Sequence, residues 1–88
     1  MKHELKVWTE YFEDIFTGKK KFDLRFNDRP YQIGDSLRLR EYNNIENMYT
    51  GRECVREINY ILTDTKFGLK EGWIIVGLDF IVEGVVLC

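Results

Sequence analysis

The sequence predicts a mainly β domain of the small closed-barrel kind, about five to six strands with one N-terminal α-helix packed against them. Three observations predict it. The 88 residues suit one ordinary domain with one core. Apolar residues after position 18 recur mostly at every second place, the period of a strand. Only the window from Trp8 to Phe16 carries the longer period of a helix.

His3 to Val7 alternates and reads as a short first strand. Trp8, Tyr11, Phe12, Ile15 and Phe16 then fall at i, i+3, i+4, i+7 and i+8, which makes one amphipathic helix buried on its aromatic side. Thr9 reads as its N-cap, Glu10, Glu13 and Asp14 suit the positive end of the helix dipole, and Gly18 offers the C′ position after Thr17. After Gly18 the period drops to two. Phe22, Leu24 and Phe26 are expected to face the core, leaving Lys21, Asp23 and Arg25 together on the opposite face of one strand.

Asn27-Asp28-Arg29-Pro30 reads as a turn, because Pro30 cannot donate to a central ladder. Gly34-Asp35 forms a second turn. Ser36 to Tyr42 alternates with Leu37 and Leu39 inward and Arg38 and Arg40 outward. Asn43 to Gly51 is polar and reads as a loop across one end of the barrel. Glu53 to Leu62 is the longest strand, with Cys54, Arg56, Ile58, Tyr60 and Leu62 on one side. Val55 and Arg56 each break the pattern of their side, so a bulge is expected there. Thr63 to Gly72 reads as a loop, Trp73 to Leu78 as a strand apolar and covered on both sides, and Phe80 to Leu87 as a last β segment. Barrel closure would remove exposed edges.

Composition narrows the function classes. The N-terminal MKHELKVW lacks the pattern of a secretion signal, and the longest apolar run is far shorter than the roughly 20 residues of a membrane span. Cys54 and Cys88 form no CxxC pair, so a reduced, cytoplasmic setting is expected. No metal-ligand spacing, Walker loop or dinucleotide fingerprint is present, and no metal or cofactor is expected. The formal charge of −2 is unevenly divided. Thr17 to Arg40 holds seven basic residues against three acids, a net +4, whereas Glu41 to Cys88 holds four against eight, a net −4.

The basic segment is the candidate site. Lys19, Lys20 and Lys21 can neutralise phosphate, Arg25 can make a bidentate contact, and Asp23 can accept from an exocyclic amine. Arg29, Arg38 and Arg40, with Tyr31 among them, extend the patch in the way aromatic and basic residues alternate on single-stranded nucleic-acid sites. The alternative is an ordinary solvated face in which Asp23 pairs with Arg25 or a lysine. His3, the single histidine, has no evident catalytic partner and reads as structural or solvent-exposed. Trp8, Phe12, Phe22 and Trp73 read as packing residues.

The stretch HELKVWTEYFEDIFTGKKKFDLRFNDRPYQIGD, followed by YTGRE at Tyr49 to Glu53 and GLKEGWIIVGL at Gly68 to Leu78, carries a likeness over nearly the whole chain. It resembles a phage and bacterial domain family, DUF3850. The resemblance implies a PUA-like (ASCH) β-barrel with a cleft at the junction of the helix and the next strand, and RNA or a modified nucleoside as ligand. Some ASCH-like proteins hydrolyse N4-acetylcytidine with a lysine, a threonine and a glutamate. The resemblance puts that lysine at Lys20 and a family arginine at Arg25, whereas Asp23, which has no hydroxyl nucleophile, stands in the threonine's place. The expectation is therefore an RNA- or nucleotide-binding module. A small hydrolase or ribonuclease using Lys20 and Asp23 is the second reading, and a protein-interaction module whose face includes Glu53 and Glu57 is the third.

Overall fold

The computed structural model describes residues 1–81. The elements are β1 (Lys2–Trp8), α1 (Thr9–Phe16), β2 (Phe22–Phe26), β3 (Ser36–Asn43), β4 (Met48–Leu62) and β5 (Trp73–Phe80). All five strands join one sheet in the order β1-β3-β4-β5-β2. β1 runs parallel to β3 and every other pair is antiparallel. The expected small barrel is thus realised as a sheet curled into a half-barrel, with β1 and β2 as its two edges and α1 packed against it. All but the first two residues of the β segment expected from Phe80 to Leu87, and Cys88 with them, lie outside the described residues.

The helix forms where its period predicts, but only Phe12 and Ile15 of its apolar residues are buried. Trp8, Tyr11 and Phe16 are about half exposed, which corrects the expectation of a fully covered aromatic side. An eight-residue helix lying on one sheet can bury only the narrow stripe that touches it. Thr9 is the first helical residue and not the N-cap; Trp8 holds that position without a side-chain cap, and the Thr9 hydroxyl donates instead to the Tyr42 carbonyl at 3.4 Å. Gly18 does end the helix, with φ +84° and its amide on the Ile15 carbonyl at 3.0 Å. A side chain there would enter the left-handed region and press on the Phe80 ring.

Arg56 finishes the helix from the other side. It points into the interior and donates through Nη2 to the Ile15 and Phe16 carbonyls at 3.1 and 3.2 Å, adding a second donor at Ile15, satisfying the Phe16 acceptor at the helix end and placing a cation at the negative end of its dipole. The guanidinium also stacks 4.3 Å from the centre of the Phe80 ring. The anomaly of Arg56 in the sequence pattern is therefore a helix cap buried in the core.

The bulge in β4 lies three residues later than expected. Pairing with β5 shifts between Ile58 and Tyr60, and the inward parity changes from Cys54, Arg56 and Ile58 to Ile61, leaving Tyr60 and Leu62 outward. Gly77 makes room for this bulge, since a Cβ at that position would collide with the Asn59 side chain. β4 also starts earlier than expected. Residues 48–51 belong to it, and the loop is a tight turn in which the Asn43 Oδ1 accepts from the amides of Ile45 and Glu46, while Tyr42 and Tyr49 pack edge to face across the hairpin at 5.2 Å.

The core consists of Leu5, Val7, Phe12, Ile15, Tyr31, Leu37, Leu39, Ile58, Ile74, Val76 and Leu78, with Cys54 and Ile61 packed on it. β5 covers only one face fully: Trp73, Ile75 and Gly77 are intermediate, so the strand is not sealed on both sides. β2 contributes no apolar residue to this core. His3 is buried and structural, its Nε2 2.8 Å from Asp35 Oδ2, and Asp35 also accepts from the Gln32 amide, fixing the turn that leads into β3. Among the described residues no helix is long and apolar enough to cross a membrane.

Candidate functional site

β2 is turned opposite to the orientation its sequence suggests. Phe22, Leu24 and Phe26 are about half exposed on the outer face, whereas Asp23 is 7 % exposed and faces inward with Arg25. The cause is the register with β5. Asp23 pairs with Val76 and Arg25 with Ile74, and paired residues share a face, so the buried side of β5 carries the two charged residues inward. This costs little apolar contact because β5 is apolar on both sides. Its outer residues Ile75 and Trp73 stand opposite Leu24 and Phe26, and Phe26 meets the Trp73 ring edge-on at 5.8 Å.

The inward charges are placed at the opening of the half-barrel and compensate each other. Arg25 Nε donates to Asp23 Oδ2 at 2.6 Å, and Lys20 Nζ lies 3.6 Å from Asp23 Oδ1. Arg25 Nη2 then reaches across the seam to the Lys6 carbonyl of β1 at 2.6 Å. Arg29 does the same two residues along, with Nη1 3.2 Å from the Glu4 carbonyl. Among the described residues the two sheet edges are thus not joined by a backbone ladder but are tied by guanidinium groups that occupy β1 carbonyls left free by its edge position.

Tyr31 closes the interior end of this seam. Its ring lies edge-on to His3 at 4.9 Å, and its buried hydroxyl has no hydrogen-bond partner among the described residues. Burial pushes the phenol above its ordinary pKa, against the opposing pull of the nearby Arg25 charge. A buried hydroxyl without a partner carries a desolvation penalty that a water or a ligand group would relieve.

At the mouth of the seam Lys20 Nζ sits 4.8 Å from the Tyr11 ring centre and 5.2 Å from that of Phe22. Both rings are about half exposed. Sequence reasoning assigned Tyr11 and Phe22 to the core and missed them here; the one signal available was their position on either side of the lysine run. Lys19 and Lys21 are exposed beside them. The structure therefore brings Lys20, Asp23 and Arg25 together, with Arg29 and Tyr31 along the same seam and Lys19 and Lys21 at its rim.

Arg38 and Arg40 lie elsewhere. They project from the outer face of β3 and form a network with Glu4 and Glu53: Arg38 Nη1 is 3.0 Å from Glu4 and its Nε 2.7 Å from Glu53, and Arg40 Nη1 is 3.0 Å from Glu4. The Arg40 guanidinium also stacks 3.9 Å from the Tyr49 ring centre. The basic and acidic halves of the sequence are interleaved in this way, since acids of β1 and β4 neutralise the arginines of β3. Arg52 follows the same pattern with Glu13 and the buried Glu41, and its hydrogen bond holds the Glu41 carboxyl below the ordinary carboxylate range. Among the described residues no cluster of three or more His, Cys, Asp or Glu is arranged to hold a metal ion.

The seam is distinct from two depressions on the opposite side of β2. One, of about 380 Å³, is bounded by Leu24, Leu62, Asp64, Phe67, Gly68, Leu69 and Ile75. The other, of about 280 Å³, shares Leu24, Gly68 and Leu69 with it and adds Lys70 and Trp73.

Comparison with known proteins gives two results. The sequence model of the family described as "Domain of unknown function (DUF3850)" matches residues 2–78. A protein of Escherichia phage P2, "Uncharacterized 12.9 kDa protein in GpA 3'region", is 39 % identical over 69 residues, which is 78 % of this chain. The matched part spans 61 % of the phage protein's length.

Proposed function

The chain belongs to the DUF3850 family, and from that membership we propose a nucleotide- or RNA-binding module of the ASCH kind within the PUA-like superfamily, its ligand held at the seam between β1 and β2. The observation that carries the reading is the convergence of Lys20, Asp23 and Arg25 at the seam where the sheet formed by the described residues is left open. Those groups supply a cation for phosphate, an acceptor for a base amine and a fork of donors. Tyr11 and Phe22 offer ring faces on which a base stacks, and the unpartnered Tyr31 hydroxyl waits further in.

The geometry favours binding over hydrolysis. One Asp23 oxygen is hydrogen-bonded to Arg25 and the other faces the Lys20 ammonium, which suits a carboxylate that orients neighbours. Labelled single-stranded RNA and common nucleotides, titrated against the full chain by fluorescence anisotropy, test the proposal. Wild type binds in a salt-sensitive way. Lys20→Ala weakens every sequence alike and reduces the salt slope by about one, and Tyr11→Ala weakens binding without changing that slope. Failure of wild type to bind any of these probes, or binding unchanged in both Lys20→Ala and Arg25→Ala, rejects the site.

A further inference from the structure

The outer face of β2 and β5, away from the seam, is apolar, and no other described residue covers it. Phe67 is 98 % exposed at its rim, and Leu24, Phe26 and Leu62 are substantially exposed beside it. With an aromatic side chain offering roughly 150–250 Å², the face amounts to on the order of 500 Å². That is at the upper end of what a monomer leaves open, and two such faces together reach the ~1,000 Å² of a specific contact.

We propose that this face joins two copies of the chain about a two-fold axis passing near Leu24 and Leu69. The two depressions share those residues as a common wall, so a two-fold rotation about that wall lays the larger depression of one copy over the smaller of the other. In such a self-complementary contact, whatever residue i meets on residue j is met in return.

Two features follow that this face already possesses. Phe67 stands on the rim of the larger depression and is absent from the lining of the smaller; the rotation seats its ring in the partner copy's smaller depression, beside Leu24 and Trp73. The larger depression carries the acid Asp64 and the smaller carries the base Lys70. The same rotation sets Asp64 of each copy opposite Lys70 of the other, so the one charge of each depression is complemented twice. Asp64 Oδ1 accepts from the Lys66 backbone amide at 2.8 Å, while its Oδ2 has an exposed contact of 3.7 Å to the Lys66 ammonium, of the kind that contributes little and exchanges readily. A second copy thus matches the face in shape and in charge.

Sedimentation velocity of the full chain over a dilution series tests this. Wild type sediments as a dimer that dissociates on dilution. Phe67→Ser, at a side chain that supports nothing in its own fold, is monomeric at the same concentrations. Asp64→Lys weakens association about tenfold, and Asp64→Lys combined with Lys70→Glu regains most of that loss. A wild-type chain that stays monomeric throughout, as it would if another partner covered the face, overturns the proposal. So does a Phe67→Ser variant that dimerises as wild type does, or a double exchange as weak as the single reversal.

Discussion

β2 and β3 carry the same alternation of apolar and charged residues and turn it in opposite directions. In β3 the leucines go inward, Leu37 and Leu39 at 0 % exposure, and the arginines stay outside against Glu4 and Glu53. In β2 the apolar residues go outward and Asp23 with Arg25 goes inward. β3 is central, flanked by β1 and β4, and its inner face meets the helix and the rest of the core. Among the described residues β2 is an edge, hydrogen-bonded to β5 alone, and its inner face meets the open seam. A central strand must supply the core, whereas an edge strand beside a two-sided apolar neighbour is free to invert. That freedom leaves a polar group at the seam and an apolar face on the outside.

The comparison can be broken most severely at its leucines. Leu39→Ala removes a fully buried side chain and is expected to cost about 2–5 kcal/mol. Leu24→Ala, at 53 % exposure, is expected to cost under ~1 kcal/mol when the chain is kept dilute enough to be monomeric. Chemical denaturation of the two variants checks this, and equal losses would mean that β2 does not face outward.

The charges give the next largest effect. Asp23→Ala leaves Arg25 and Lys20 without their carboxylate in a poorly hydrated place, and is expected to cost about 1–3 kcal/mol. Arg38→Ala breaks contacts of a kind that water and salt already weaken, and its unfolding midpoint should stay at the wild-type value. Raising the salt concentration sharpens the difference, because the Asp23 cluster is less screened than the Arg38 network.

A further effect appears only in acid, at the turn that leads into β3. The hydrogen bond from His3 lowers the Asp35 carboxyl from its ordinary 3.8 to about 2. A carboxyl whose pKa is depressed on folding contributes stability that is complete above the unfolded value and is lost as pH falls through the folded one. Wild type should therefore lose this contribution between pH ~4 and ~2, and Asp35→Asn should flatten that part of the stability profile, as read by denaturant midpoints across the range.

Much of the fold was legible because it rests on local rules. The helical window from Trp8 to Phe16, the stop at Gly18 and the alternation of Leu37 and Leu39 each follow from spacing within a few residues. The grouping of Asp23 and Arg25 was legible for the same reason, since residues 23 and 25 of one strand must share a face; alternation put Lys21 beside them, whereas the lysine that meets Asp23 is Lys20. What could not be read was which face. Inverting β2 exchanges Phe22, Leu24 and Phe26 for Asp23 and Arg25 without altering the pattern, and Tyr11 and Phe22 could not be told from core aromatics. The burial of Arg56 was equally hidden, because its partners are carbonyls 40 and 41 residues away.

By itself the sequence determined the elements, the end of the helix and the charged residues that travel together, since periodicity and glycine conformation act between near neighbours. Only the tertiary structure decided that β2 lies at an edge, that its register with β5 brings Asp23 beside Val76, and that Arg25 spans the gap to Lys6. The physical reason is that alternation is symmetric about the plane of a sheet. The choice between its two sides is made by whatever packs on each, and for β2 those partners come from β5 and β1, far away along the chain.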